Sequence, residues 1–154
     1  MKKKISIILC TFNEVNHIEE CIKVVSKTLK DVEIIIVDDN SNDGTIEKLE
    51  NLKSDFNFKL FIRKNERGLA SAQKKAFAES TGDYVGTIDV NSFDQILHFT
   101  NLANKLDDGY DIAVLSRFVP GGGDERTFIR ALASRGIYRV SKFFFRIPFN
   151  DYGS

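Results

Sequence analysis

Cysteine and histidine are scarce in this sequence, which limits the metal and redox chemistry that it can support. The cysteines, Cys10 and Cys21, lie in different predicted elements without metal-ligand spacing, and the histidines, His17 and His98, are far apart. This composition excludes a zinc site, because such a site needs several clustered cysteine or histidine ligands. With no disulfide framework indicated, we expect a reducing compartment.

Long apolar runs are also absent, and no stretch approaches the ~20 residues that a helix needs to cross a bilayer. The lysines at 2–4 followed by the apolar run at 5–12 superficially resemble a secretory signal. The run is short and no small-residue cleavage site follows it, so we interpret it as a first strand. The 154 residues, 42% of them hydrophobic, suit one ordinary domain with a real core, and we predict a single domain over 1–154.

The sequence carries no excess charge of either sign, since 22 basic and 22 acidic side chains cancel. Composition therefore favours neither disorder nor a nucleic-acid partner. The distribution is less even, because residues 126–150 contain no acidic side chain but six basic ones: Arg126, Arg130, Arg135, Arg139, Lys142 and Arg146. We expect this segment to face an anion or an anionic surface.

Short β-branched runs alternate with segments of helical periodicity along the whole chain. We predict strands at 5–10, 32–37, 58–62, 84–88 and 112–115, and helices near 18–29, 46–52, 69–80, 96–106 and 127–145. Asn16 and Glu19, three residues apart, predict a capping box at the start of the first helix. This alternation predicts an α/β fold with a mostly parallel sheet and helices on both faces.

Polar residues follow four of the predicted strands, at 11–14, 38–45, 89–91 and 116–117. Any one of these loops is explained well enough by turn formation or helix capping. In a parallel sheet, however, ligands bind beyond the carboxyl ends of the strands, where all four loops converge. Together they indicate a binding site at that edge of the sheet.

Five segments in this order resemble the motifs of family 2 glycosyltransferases: CTFNE at 10–14, IVDDNSNDGT at 36–45, RGLASA at 67–72, TGDYV at 81–85 and SRFVPGG at 116–122. The last resembles the branch that transfers a sugar to a polyprenyl phosphate, as dolichyl-phosphate mannosyltransferases do. The similarity covers essentially the whole chain. It implies a Rossmann-like GT-A fold and a hexosyltransferase that takes a GDP- or UDP-linked sugar and inverts its anomeric configuration.

The resemblance assigns Asp89 and Asn91 to the Asp-x-Asp motif that holds Mg²⁺ or Mn²⁺ against the donor diphosphate. Such cations take oxygen ligands from one or two side chains and from phosphates. This chain departs from the motif, because Asn91 offers a neutral carbonyl oxygen and Phe93 stands where the branch often has a polar residue. We therefore expect Asp89 to be the main protein ligand and metal binding to be weaker than in the family.

The same resemblance assigns Thr11, Asn13 and Glu14 to the nucleotide-sugar pocket and Asp39 to the base or ribose. A carboxylate suits that task because it accepts hydrogen bonds from N–H and hydroxyl groups. For Asp38 a structural role is the alternative.

On the acceptor side, Arg117 matches the family's phosphate-contacting arginine, which together with Asp89 forms the predicted catalytic pair. A guanidinium there stabilises charge on both the leaving diphosphate and the entering phosphate. A phosphate monoester is largely dianionic near neutral pH, with a second pKa of about 6, so its attack needs no general base. Four cations at helical spacing within an aromatic-rich segment predict an acceptor-phosphate or interfacial membrane contact: Arg135, Arg139, Lys142 and Arg146. A solvated charged face over an aromatic core stripe is the alternative.

Two other functions are compatible with parts of the sequence. A receiver domain also has an acidic pair after a parallel strand, but that pair follows its first strand, whereas Asp38 and Asp39 follow the second. A non-catalytic nucleotide-sugar-binding module would explain Asn91 and Phe93. The branch pattern continues past Asn150, so we expect a C-terminally shortened enzyme, inactive or poorly active in this form, located in the cytoplasm and peripheral to the inner membrane face.

Overall fold

The computed structural model describes residues 3–116. The chain divides into two compact units, residues 1–103 and 104–154. The described elements, in chain order, are β1 (Ile5–Thr11), α1 (Ile18–Thr28), β2 (Glu33–Asp38), α2 (Thr45–Leu52), β3 (Phe58–Ile62), α3 (Leu69–Glu79), β4 (Tyr84–Ile88), a 3₁₀ segment (Val90–His98) and α4 (Phe99–Asp107). The first four predicted strands and first three predicted helices agree with these bounds to within two residues.

The four described strands form one sheet in the order β3-β2-β1-β4, and every neighbouring pair is parallel. In the register of the sheet, Thr11 pairs with Asp38, and Asp38 pairs with Ile62. On the other side of β1, Leu9 pairs with Ile88, the last residue of β4. The carboxyl ends of all four strands therefore lie along one edge, and the loops that follow them begin side by side.

Both faces of the sheet are covered, because consecutive residues of a strand point to opposite faces. Ile7 and Leu9 belong to the larger core cluster, together with buried residues of α1, α2, the 3₁₀ segment and α4. Ile8 and Ile35 belong to the smaller cluster, where Ala72 of α3 packs on the opposite face. The predicted α/β sheet with helices on both faces is thus confirmed.

Three local predictions were wrong. His17, not Asn16, is the N-cap of α1 and makes no side-chain capping bond. The carbonyl of Glu14 accepts the amides of His17 and Ile18, at 3.1 and 3.0 Å, and α1 begins one residue later than the Asn16–Glu19 box would require.

Of the helix predicted over 96–106, residues 96–98 belong to the 3₁₀ segment and only the remainder, from Phe99, is the α-helix α4. Residues 112–116 are neither strand nor helix, although 112–115 have a strand-like composition. Ile112 and Val114 are 60% and 48% exposed, and β-propensity needs a packed neighbouring surface to take effect. The predicted helix over 127–145 lies outside the described residues. Within 3–116, no helix has the length and apolarity to span a membrane.

Candidate functional site

Asp38, the last residue of β2, is an internal anchor for the loops at the carboxyl edge. Its side chain is fully buried, and its Oδ2 accepts the Thr11 hydroxyl at 2.7 Å. Its two oxygens also accept the backbone N–H of Ser41 at 2.7 Å and the Ser41 hydroxyl at 2.6 Å. A buried carboxylate with three donors is well satisfied, which favours the structural role for Asp38. Thr11, a predicted donor-pocket residue, is itself buried and directs its hydroxyl to this carboxylate.

The loop after β1 is fixed to the loop after β2 by four hydrogen bonds. Asn13, in the left-handed region at φ 61°, donates its backbone N–H to Ser41 Oγ at 2.8 Å and accepts the Asn42 N–H on Oδ1 at 3.1 Å. Glu14 N–H donates to Thr45 Oγ1 at 2.9 Å. In the next position, Val15 N–H donates to Asp43 Oδ2 at 3.1 Å. The two loops are therefore held together by the protein itself.

Asp39 is held by Arg63, a residue that the sequence analysis did not single out. Asp39 Oδ1 accepts Arg63 Nε at 2.7 Å and Nη2 at 2.5 Å, and Oδ2 accepts the Gly68 N–H at 2.8 Å. Arg63 also donates to Ser71 Oγ at 2.8 Å. Both charged residues are more than nine-tenths buried. The signal was available, because Arg63 directly follows β3 at the same edge as the other polar loops.

Phe12 and Arg67 form a flat, exposed contact beside these loops. The guanidinium carbon of Arg67 lies 4.4 Å from the centroid of the Phe12 ring, within the range of a cation–π interaction. Phe12 is 44% exposed, which is unusual for a large apolar side chain directly after a buried strand. An aromatic ring and a cation thus face solvent at the carboxyl edge.

Asp89, Asn91 and Glu14 come together at the end of β4. Asp89 Oδ1 accepts the Asn91 N–H at 3.1 Å and so caps the 3₁₀ segment, as the capping alternative anticipated. Asn91 Nδ2 donates to Glu14 Oε1 at 3.0 Å. Within the described part of the chain, no donor reaches the other oxygens of the three side chains, Asp89 Oδ2, Asn91 Oδ1 and Glu14 Oε2.

This oxygen set fits a divalent cation of the Mg²⁺ or Mn²⁺ type better than a transition metal that prefers nitrogen or sulfur. No group of three or more histidine, cysteine or acidic side chains suited to a metal exists among residues 3–116. The described residues provide two carboxylates and one amide as oxygen ligands, and phosphate oxygens would complete the coordination shell.

The remaining side chains near the site have other tasks. Phe93 packs against the larger core cluster, which accounts for an aromatic residue two positions after Asn91. Burial raises the pKa of the Cys10 thiol to about 11 and that of Cys21 to about 12, with nearby acidic groups adding to the effect. Neither cysteine is therefore a thiolate nucleophile near neutral pH.

The acceptor-side predictions fall outside the described residues, since the structure describes nothing beyond Ser116. They concern four cations: Arg117, Arg135, Arg139 and Lys142. Their assigned contacts with phosphate or a membrane stay predictions, as do the ligand contacts assigned to the residues described above.

Comparison with curated proteins finds relatives that are named dolichol-phosphate mannosyltransferases. The dolichol-phosphate mannosyltransferase of Pyrococcus furiosus is 35% identical over 142 residues, covering 90% of this chain and 40% of that protein. The dolichol-phosphate mannosyltransferase of Saccharomyces cerevisiae is 35% identical over 98 residues, which cover 63% of this chain and 36% of the yeast protein. This chain therefore spans about two fifths of the length of these relatives.

Comparison with solved structures finds the same architecture. The mannosyltransferase PcManGT of Pyrobaculum calidifontis, in complex with GDP-Man and Mn²⁺, has a TM-score of 0.52 and 26% identity, covering 58% of this chain and 28% of its own. TarS of S. aureus in complex with UDP has a TM-score of 0.57 at 23% identity, covering 68% of this chain and 32% of its own, and shows the fold alone.

The neighbouring structures identify the parallel sheet of this chain as a Rossmann-like GT-A fold. The family model described as glycosyl transferase family 2 matches residues 6–153, which is nearly the whole chain. The expectation from the sequence motifs is confirmed at the level of family and fold, and the chain belongs to glycosyl transferase family 2.

Proposed function

We propose that this chain is the nucleotide-sugar-binding part of an enzyme that transfers a hexose from a GDP- or UDP-linked donor to a polyprenyl phosphate. The observation that carries the proposal is the oxygen set of Asp89, Asn91 and Glu14 at the carboxyl end of β4. It lies at the edge of the sheet where an open α/β fold binds its ligand. Family membership and the dolichol-phosphate mannosyltransferase relatives support the reaction class.

The donor nucleotide is proposed to bind across the loops after β1, β2 and β3. These loops are cross-linked by the hydrogen bonds of Asp38, Asn13 and Asp39 before any ligand arrives. A site built in this way loses little conformational entropy when it binds, which favours affinity. Thr11 and Asn13 are proposed to shape the pocket, and Asp39, whose carboxylate is held by Arg63 and Gly68, is proposed to lie beside the base or ribose.

Mg²⁺ or Mn²⁺ is proposed to bind at Asp89 and Asn91. When bound, the cation supplies positive charge that stabilises the diphosphate leaving group. Asp89 Oδ2 and Asn91 Oδ1 are the oxygens available for it, since the opposite atoms of both residues already make hydrogen bonds. Support from a neighbouring structure comes from PcManGT, which was solved with GDP-Man and Mn²⁺.

The acceptor half of the proposal rests on the basic residues beyond the described part. Arg117 is proposed to contact the reacting phosphates. The cations at 135, 139 and 142 are proposed to contact an anionic lipid or its phosphate. This arrangement would place the protein peripherally at the cytoplasmic face of the inner membrane. Salt-sensitive sedimentation with anionic but not neutral vesicles is the expected result, and equal binding to both would contradict it.

The proposal is tested by thermal unfolding of the 154-residue chain with GDP or UDP, with and without Mn²⁺. Mn²⁺ and the matching nucleotide together should raise the melting temperature more than the sum of each alone, because the diphosphate and Asp89 share one ion. Asp89→Ala should remove the joint effect. Asp94→Ala, which deletes an exposed acid of the same 3₁₀ segment, should preserve it. No joint effect in the unaltered chain with any nucleoside diphosphate would refute the proposal.

A non-catalytic binding module is the second candidate, favoured by the neutral Asn91 and by Phe93, which packs in the core. Sugar transfer separates the two. An enzyme, even a poorly active one, should convert a labelled donor to lipid-linked sugar faster than Asp89→Ala does when a short-chain polyprenyl phosphate is added. A binding module should show the joint thermal shift with no turnover above that of Asp89→Ala.

A further inference from the structure

We propose that Glu14 is a ligand of the divalent cation and supplies the negative charge that position 91 lacks, while Asn91 holds Glu14 in place. The inference rests on the proposed function for the presence of a cation and a diphosphate. It concerns which residues of this chain complete the ion's coordination, and it reassigns Glu14 from a general donor-pocket residue to the cation.

Glu14 and Asn91 meet through a long-range side-chain contact. Glu14 and Asn91 are 77 positions apart in the chain, yet Asn91 Nδ2 donates to Glu14 Oε1 at 3.0 Å. Glu14 is also fixed at its backbone, where its N–H donates to Thr45 Oγ1 at 2.9 Å. The side chain is half-buried, so the loop after β1 delivers a restrained carboxylate to the end of β4.

The amide at position 91 can both donate and accept a hydrogen bond. An asparagine donates through its NH₂ and accepts through its carbonyl oxygen, whereas an ionised aspartate only accepts. Asn91 can therefore bond Glu14 on one side and leave Oδ1 for an ion on the other. An aspartate there could not donate to Glu14 and would place a like charge against it, which is unfavourable.

The net charge of the three side chains also suits a divalent cation. Asp89 and Glu14 carry two negative charges, and Asn91 is hydrogen-bonded to both of them. An Asp-x-Asp motif also carries two negative charges, both on one strand end. This chain thus offers the cation the same number of negative charges as an Asp-x-Asp motif, but they are divided between the loops after β1 and β4. Asn91 then positions Glu14 by a hydrogen bond, so its neutral side chain does not indicate a metal site that has lost its function.

The test measures Mn²⁺ binding to the full 154-residue chain in the presence of GDP or UDP, by electron paramagnetic resonance of free Mn²⁺. Glu14→Gln keeps an acceptor for Asn91 but removes the charge, and we expect Mn²⁺ affinity to fall roughly tenfold or more, since ligand charge tunes the affinity of such sites. The exchange variant Glu14→Gln with Asn91→Asp restores two carboxylates and a reversed hydrogen bond. Its Mn²⁺ affinity should return to within about threefold of the original.

Two controls separate failure of this inference from failure of the proposed function. Asp89→Ala should abolish Mn²⁺ binding, and thermal unfolding should show that each variant is folded. If the unaltered chain binds Mn²⁺ and Asp89→Ala does not, unchanged affinity in Glu14→Gln overturns the role of Glu14 alone. If the exchange variant does not recover Mn²⁺ affinity, the role of Glu14 is likewise overturned. Glu14→Gln could also weaken nucleotide binding by the same factor in the presence of Mn²⁺ and in the presence of a chelator. That result would assign Glu14 to the nucleotide and also overturn the inference. No Mn²⁺ binding in the unaltered chain would overturn both.

Discussion

Removal of the Arg63 guanidinium should be among the most damaging single changes in the described part of the chain. Arg63→Met leaves the Asp39 carboxylate more than nine-tenths buried with one remaining donor, the Gly68 N–H at 2.8 Å. Breaking a buried ion pair by removing one partner costs ~3–5 kcal/mol, because a charge stays buried without compensation. Because the Gly68 N–H still donates to Asp39, the expected loss in unfolding free energy is near the lower end of this range, about 3 kcal/mol.

Urea denaturation followed by circular dichroism measures this loss for the four members of a double-mutant cycle. Asp39→Asn combined with Arg63→Met removes the uncompensated charge, so the double variant should be more stable than Arg63→Met alone, with a coupling energy of roughly 2 kcal/mol. The matched control is Glu66→Gln, because Glu66 contacts the same guanidinium at 3.3 Å but its side chain is 71% exposed. That change should cost less than about 1 kcal/mol. Strict additivity of the Asp39 and Arg63 changes, or a loss below about 1 kcal/mol for Arg63→Met, would refute the reasoning.

Two further predictions concern the remainder of the sheet. Burial acts to raise the pKa of Glu33, but hydrogen bonds from Ser6 and Thr81 and the neighbouring Lys59 outweigh it and lower the pKa to about 2. The ionised Glu33 should therefore stabilise the fold fully above pH ~4.5, and this contribution should be lost as the pH falls towards ~2. After solvent screening, the expected change in unfolding free energy is about 2 kcal/mol. Glu33→Gln should eliminate this change when stability is measured as a function of acid pH. Gly86→Ala should cost ~1–3 kcal/mol in urea denaturation, because the added Cβ would overlap the buried Phe99 ring, and unchanged stability would show that the ring can move aside.

The sequence alone determined the architecture and predicted the edge of the sheet where the candidate site lies. Apolar runs such as 5–10 and 32–37 form buried strands because they can be covered on both faces, and the helical periodicity of Ile18, Cys21 and Ile22 requires an apolar surface to pack on. Parallel strands then bring their carboxyl ends to one edge, so polar residues after them converge without any knowledge of contacts. The motifs at those positions were sufficient to predict the family.

Only the tertiary structure decided which of these side chains pair with one another. The capping box of Asn16 and Glu19 obeyed a local rule but did not form, because α1 begins one residue later than the box requires, with His17 as its N-cap. The strand-like run at 112–115 is neither strand nor helix, because β-propensity takes effect only where the side chains pack on a neighbouring surface, and Ile112 and Val114 are exposed.

The contacts that shape the site are long-range. Arg63 reaches Asp39 across 24 positions of the chain, and Asn91 reaches Glu14 across 77. Sequence spacing encodes local geometry through the period of a helix or strand, but it contains no measure of which loops meet after the strands have assembled. The side-chain partners of a loop residue are therefore set by strand order and register, and these exist only in the folded sheet.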